Sequence, residues 1–172
     1  MSPNKFQAFL IEQKQQKQES MKVDWQAIKE TWIKQAESFL EEVEIFLAEF
    51  QPDIKCEFQR VWLTEEYIGR YEVPKLTLHL PKETIEFVPK GALLIGARGR
   101  YDMQGSAGSV KWVLVPEAIE KPIILTQLAE SAEFDSQISD LVWKLATPPP
   151  HIRYIPFNQE TLLEAIMEVS HG

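Results

Sequence analysis

The chain has 172 residues, 44% apolar and 26% charged, with one cysteine and a net charge of −8. That length buries a core of one domain, no apolar run approaches the about 20 residues needed to cross a bilayer, and a lone Cys56 excludes an internal disulfide. Residues 1–50 carry −3, residues 51–116 carry +1 and residues 117–172 carry −6, with no basic run, so nucleic-acid binding and attraction to an anionic membrane are both disfavoured.

Residues 1–21 read as a polar leader, a frayed helix or a disordered segment, in which Phe6, Phe9 and Leu10 precede a Gln/Lys-rich stretch. Met21 is an alternative start, because the foldable pattern follows it, and residues 22–172 then form a single α+β domain. No signal-peptide core follows Met1, so with its single thiol the chain is expected to be cytoplasmic.

A long helix is predicted from Asp24, a fitting N-cap, to Phe50. Trp25, Trp32, Phe39 and Phe46 recur every seven residues, flanked by Ile28, Ala36, Val43 and Phe50. So bulky a stripe suits a sheet better than a coiled-coil seam, although a dimer through this helix stays open. Glu41, Glu42, Glu44 and Glu49 fall on its solvated face, and Gln51-Pro52 ends it.

From Ile54 the period becomes two. Ile54, Cys56 and Phe58 are expected inward, with Cys56 a core residue rather than a nucleophile. Tyr67–Val73, Lys75–Leu80, Thr84–Val88, Ala92–Asp102 and Val110–Val115 read as further strands. Beyond Pro116, Ile123–Leu128 reads as a short strand, and Ser136–Leu145 fits either helix or strand. Thr147–Pro150 is a polyproline connector or a docking strip, and His151–Phe157 is an edge strand. Asn158 caps a final helix with Leu162, Leu163, Ile166 and Met167 on one face. Strands in a run without βαβ alternation predict an antiparallel sheet of about five to seven strands, packed against the long N-terminal helix and the C-terminal helix.

Five of the seven glycines (Gly91, Gly96, Gly99, Gly105 and Gly108) fall within Glu83–Pro116, and such density marks turns, bulges or close backbone approach. With Ser106-Ala107 as a hairpin tip, Tyr101 faces Trp112, Asp102 faces Lys111 and Gly99 faces Leu114. Strand alternation then sets Arg98, Arg100, Asp102 and Lys111 on the opposite face from Tyr101 and Trp112. That face is either a solvated strand exterior or an anion site, with Arg98 and Arg100 as donors and the Gly105–Gly108 turn adding backbone N–H groups.

Other constellations carry little. Gly105–Ser109 lacks the spacing of a nucleophile elbow, and no phosphate-binding loop occurs. His79, His151 and His171 lie far apart, giving no metal pattern, and no cofactor is implied. Cys56 and His79 make a catalytic pair only if the fold brings them together, and Glu65 with Glu66 and Glu83 with Glu86 are carboxylate pairs that chance supplies in so glutamate-rich a chain. The function expected is therefore a non-catalytic interaction protein (an adaptor, chaperone or toxin-neutralising partner) using the mixed-charge sheet face, its partner a protein or a second copy. The alternative is a small-ligand, anion-binding or hydrolytic domain on the Arg98/Arg100 face. A deep hollow there favours the ligand, and a flat charged face favours the protein partner.

Overall fold

The computed structural model describes residues 2–94, 96–122 and 140–171. Seven strands form one antiparallel sheet in chain order: β1 Lys55–Glu65, β2 Gly69–His79, β3 Thr84–Gly91, β4 Arg100–Gly105, β5 Gly108–Pro116, β6 Leu141–Ala146 and β7 Tyr154–Pro156. Among the described residues three helices accompany it: α1 Pro3–Lys22, α2 Trp25–Leu47 and α3 Gln159–Val169. The protein is thus an α+β fold whose sheet packs against a long N-terminal and a C-terminal helix. Among the described residues no helix is long and apolar enough to cross a membrane.

Helix α2 organises the core. The Asp24 carboxylate accepts the Ala27 N–H at 3.0 Å, capping its first turn. A single 3₁₀ turn, Ala48–Phe50, continues it to Gln51-Pro52. Its buried stripe is Ile28, Trp32, Ala36, Phe39, Leu40, Val43 and Leu47, so the aromatic heptads serve the sheet. The Phe39 ring lies 4.3 Å from that of Trp143, 4.8 Å from Phe157 and 5.6 Å from Tyr101, joining strands β4 and β6 to the chain entering α3. Such rings bury large areas and interlock at fixed angles, which makes Phe39 the centre of the core.

Helix α3 begins at an Asn158 capping box, in which Asn158 and Thr161 exchange side-chain and backbone hydrogen bonds. It buries Leu162, Ala165, Ile166 and Val169, while Met167 points to solvent. Leu162 and Ile166 thus face inward as expected and Leu163 packs partly against the core, while Ala165 and Val169 take the place expected of Met167. Helix α1 is regular, capped by Ser2 with Pro3 in its first position. The side chains of residues 2–16 are all exposed, so this part of the leader contributes nothing to the core.

Three strand expectations change. Tyr67–Val73 and Lys75–Leu80 are one strand, because Pro74, which has no N–H to give, sits where β3 has already left β2: that ladder ends at the Leu76–Phe87 pair. Beyond it the β1–β2 ribbon diverges from the rest of the sheet. The Tyr101 hydroxyl spans the gap, donating to the Pro74 carbonyl at 2.5 Å. Ribbon burial also changes phase there, from Leu76 and Leu78 to Val73 and Tyr71. Residues 92–94 and 96–99 are not strand but belong to a crossing segment held by a Leu94–Ala97 bridge, and β4 begins only at Arg100. Residues 141–146 of the ambiguous C-terminal stretch are strand β6, paired with β5. The strand expected at Ile123–Leu128, and residues 136–139, lie outside the described residues.

Candidate functional site

The β4–β5 hairpin has the expected register: Tyr101 opposite Trp112, Asp102 opposite Lys111, and Gly105 opposite Gly108 around a Ser106-Ala107 tip. Tyr101 and Trp112 face the helices and are fully buried. Arg100, Asp102 and Lys111 face the other way. Arg100 Nε lies 2.8 Å from Asp102 Oδ1 and its Nη2 donates to Oδ2 at 3.3 Å, with the two side chains 29% and 14% exposed. This second face is not flat. The crossing segment and the chain before β7 lie over it, and a small apolar cluster of Ala97, Val113 and Val115 forms beneath. Between them a hollow of about 480 Å³ is lined by Arg100 and Lys111 together with Ala97, Val113, Ala146 and Tyr154.

Arg98 is set apart from this group. Its N–H donates to the Leu114 carbonyl at 2.8 Å, and the Leu114 N–H donates to the Gly99 carbonyl at 2.8 Å. Two residues thus oppose one, the pattern of a β-bulge, which breaks strict alternation. The Arg98 side chain lies with Ile28, Thr31 and Leu141 on the helix side, where burial pulls its pKa down. The space above Gly99 is filled by Trp32. A Cβ at Gly99 would overlap the Trp32 ring.

The Gly105–Gly108 turn is bound to the end of α3. Ala107 N–H donates to the Val169 carbonyl at 2.8 Å, and that same oxygen leaves no room for a Cβ on Gly105. Gly108 has φ +155°, which a side chain would strain. Ser106 donates to Glu83 Oε1 at 2.8 Å, and the His171 N–H reaches Glu83 Oε2 at 3.2 Å. A carboxylate therefore already stands against the turn.

The remaining pairs are dispersed. Glu86 pairs with Lys75 at 3.1 Å, away from Glu83. Cys56 pairs across the ribbon with Leu78 while His79 pairs with Lys55, so alternation sends the thiol and the imidazole to opposite faces. His79 is exposed and lies 3.0 Å from Glu57. Burial, and secondarily the charge of Glu44, raises the Cys56 pKa and keeps the thiol protonated and unreactive. Among the described residues no three His, Cys, Asp or Glu side chains are grouped to hold a metal ion.

Two arrangements escape sequence reasoning. In the first, the Trp32 indole N–H donates to the Tyr71 hydroxyl at 2.8 Å, and that hydroxyl donates in turn to Glu65. The Glu65 carboxylate also accepts the Ala92 and Leu93 N–H groups at 3.0 and 2.9 Å. Every group here has a partner, so this network fixes α2, the ribbon and the crossing segment to one another.

The second is the outer side of β1. Among the described residues this eleven-residue strand pairs only with β2 and ends the sheet, while β7 at the other edge has three residues. Phe58 is 45% exposed and Trp62 54%, against the expectation that Phe58 points inward. Phe58 forms one wall of a groove of about 420 Å³ against α2, opposite Leu40, Glu37, Glu41 and Glu44. Arg60 pairs with Glu37 across it at 3.1 Å. Farther along, the Arg70 guanidinium lies 4.4 Å over the Trp62 ring, and exposed Tyr67 stacks on Trp25 at 4.9 Å. The signal available in sequence is that β1 carries apolar residues on both of its phases (Phe58 and Trp62, then Val61 and Leu63), more than one core face requires. Neither a protein-family model nor a curated protein nor a solved structure matches this chain.

Proposed function

We propose that the protein is a non-catalytic interaction module that takes an extended, basic and apolar segment of a partner protein along the outer edge of β1. The observation that carries this reading is a long edge strand whose outer backbone is unpaired among the described residues, bearing half-exposed Phe58 and Trp62 beside the acidic face of α2. Open edges offer a row of backbone N–H and C=O groups, and an added strand gains those hydrogen bonds while alternate side chains enter neighbouring pockets. Trp, Tyr and Arg dominate binding energy at interfaces, and Arg70 stands over the exposed Trp62 ring on this ribbon.

Charge selects the partner. Glu37, Glu41 and Glu44 face Arg60 across the groove, leaving a negative surplus on a chain of −8. A second copy of this chain meets like charge, whereas a basic segment is attracted. A single thiol, held protonated, fits a cytoplasmic module.

Selection of a random peptide library on the intact protein tests the reading. Enriched sequences are expected to alternate Lys or Arg with apolar residues and to lose binding to a Trp62→Glu variant, whose site is exposed and tolerates the change. Enrichment of acidic sequences, or binding indifferent to Trp62→Glu, contradicts it.

A further inference from the structure

We propose that the hollow behind the β4–β5 hairpin is a separate binding site for a small molecule with one carboxylate and an apolar body, the carboxylate held by Arg100 and Lys111. The hollow's volume, about 480 Å³, falls within the range of roughly 300–1,000 Å³ typical of small-molecule sites. Its floor of Ala97, Val113 and Ala146 supplies the apolar contact such sites require.

The polar chemistry is incomplete as it stands. Arg100 Nε and Asp102 Oδ1 are buried and lie 2.8 Å apart, yet they are too misaligned to hydrogen-bond, and each is left without a hydrogen-bond partner. The cause is their spacing: residues two apart on one strand project in parallel, so a carboxylate at that position cannot meet the guanidinium fork head-on. A buried donor without a partner is costly and rare. A carboxylate arriving from the hollow approaches from outside the strand, where the fork donates two parallel bonds to it.

Charge sets the class of ligand. Arg100 and Lys111 against Asp102 leave one surplus positive charge on an otherwise acidic molecule. That matches a monoanion; a phosphate dianion meets Asp102 with charge to spare, and a cation meets Arg100 and Lys111. Tyr154 also lines the hollow, and burial raises its pKa, which keeps its phenol a neutral hydrogen-bond donor. The site stands on the sheet face away from α2, so the fate of this proposal is independent of the β1 edge.

Calorimetric titration of the full chain with decanoate and with 2-naphthoate, each below its aggregation concentration, provides the test, with decanol and 2-naphthol as uncharged controls. At least one acid is expected to bind saturably, with its alcohol about tenfold weaker or more, the range for a hydrogen bond to a charged group. Lys111 is exposed, so Lys111→Gln folds and is expected to weaken the acid about tenfold, while Asp102→Asn, which removes the competing carboxylate, tightens it. Saturable binding of neither acid, equal binding of acid and alcohol, or an unchanged affinity in Lys111→Gln overturns the proposal.

Discussion

Gly99 shows how one absent side chain positions a helix. Trp32 sits on the bare backbone there, and its indole N–H is held by Tyr71, so the ring cannot slide aside to admit a methyl group. Gly99→Ala is therefore expected to destabilise the fold by about 1–3 kcal/mol, the usual range for overpacking, as measured by urea unfolding. An unchanged midpoint contradicts that placement of Trp32. Tyr71 and Tyr101 make a second prediction. Burial is the largest cause holding both phenols above their ordinary pKa of about 10. The fold thus binds these protons more tightly than the unfolded chain does. Their contribution is complete below about pH 10 and is lost as pH rises past it. In an alkaline titration followed at 295 nm, both should ionise only together with the loss of near-ultraviolet circular dichroism; ionisation at ordinary pH in an intact fold would falsify their burial. Residue-scale legibility was uneven. The Tyr101–Trp112 register was readable because a two-residue tip between glycines fixes every later pair, but the bulge at Arg98 adds a residue that alternation does not register. Glu65 gave no sign at all, since the amides it accepts lie 27 and 28 positions away.

Among the elements, α2 was readable from its aromatic heptads and α3 from Asn158, because periodicity and capping are local. The sheet's division was not. Where β2 and β3 part depends on the tertiary path of the ribbon, and Pro74 merely permits it, so the same residue that suggested a strand break in sequence lies inside a continuous strand. Phe58 was misplaced for a related reason: at an edge, alternation alone does not say how much of the inner phase the helix covers. Helix α1 offers the cleanest test at this scale. The side chains of residues 2–16 are exposed, so a chain lacking them is expected to keep its thermal midpoint within about 2 °C, the shift that a fraction of a kcal/mol produces. A drop of several degrees would show that α1 packs on the domain.

Over the whole molecule, the charge of −8 and the uneven edges of the sheet act together. A basic segment drawn to the β1 groove should lose affinity as salt rises, whereas association between two copies, opposed by their like charge, should strengthen. Sedimentation across a salt series separates the two trends. Strand addition at β1 is most directly measured by amide hydrogen–deuterium exchange with and without a library-selected basic peptide at low salt. New protection is expected in residues 55–65, reduced by high salt and by Trp62→Glu. Protection elsewhere in the sheet, or none where binding is saturated, would contradict it.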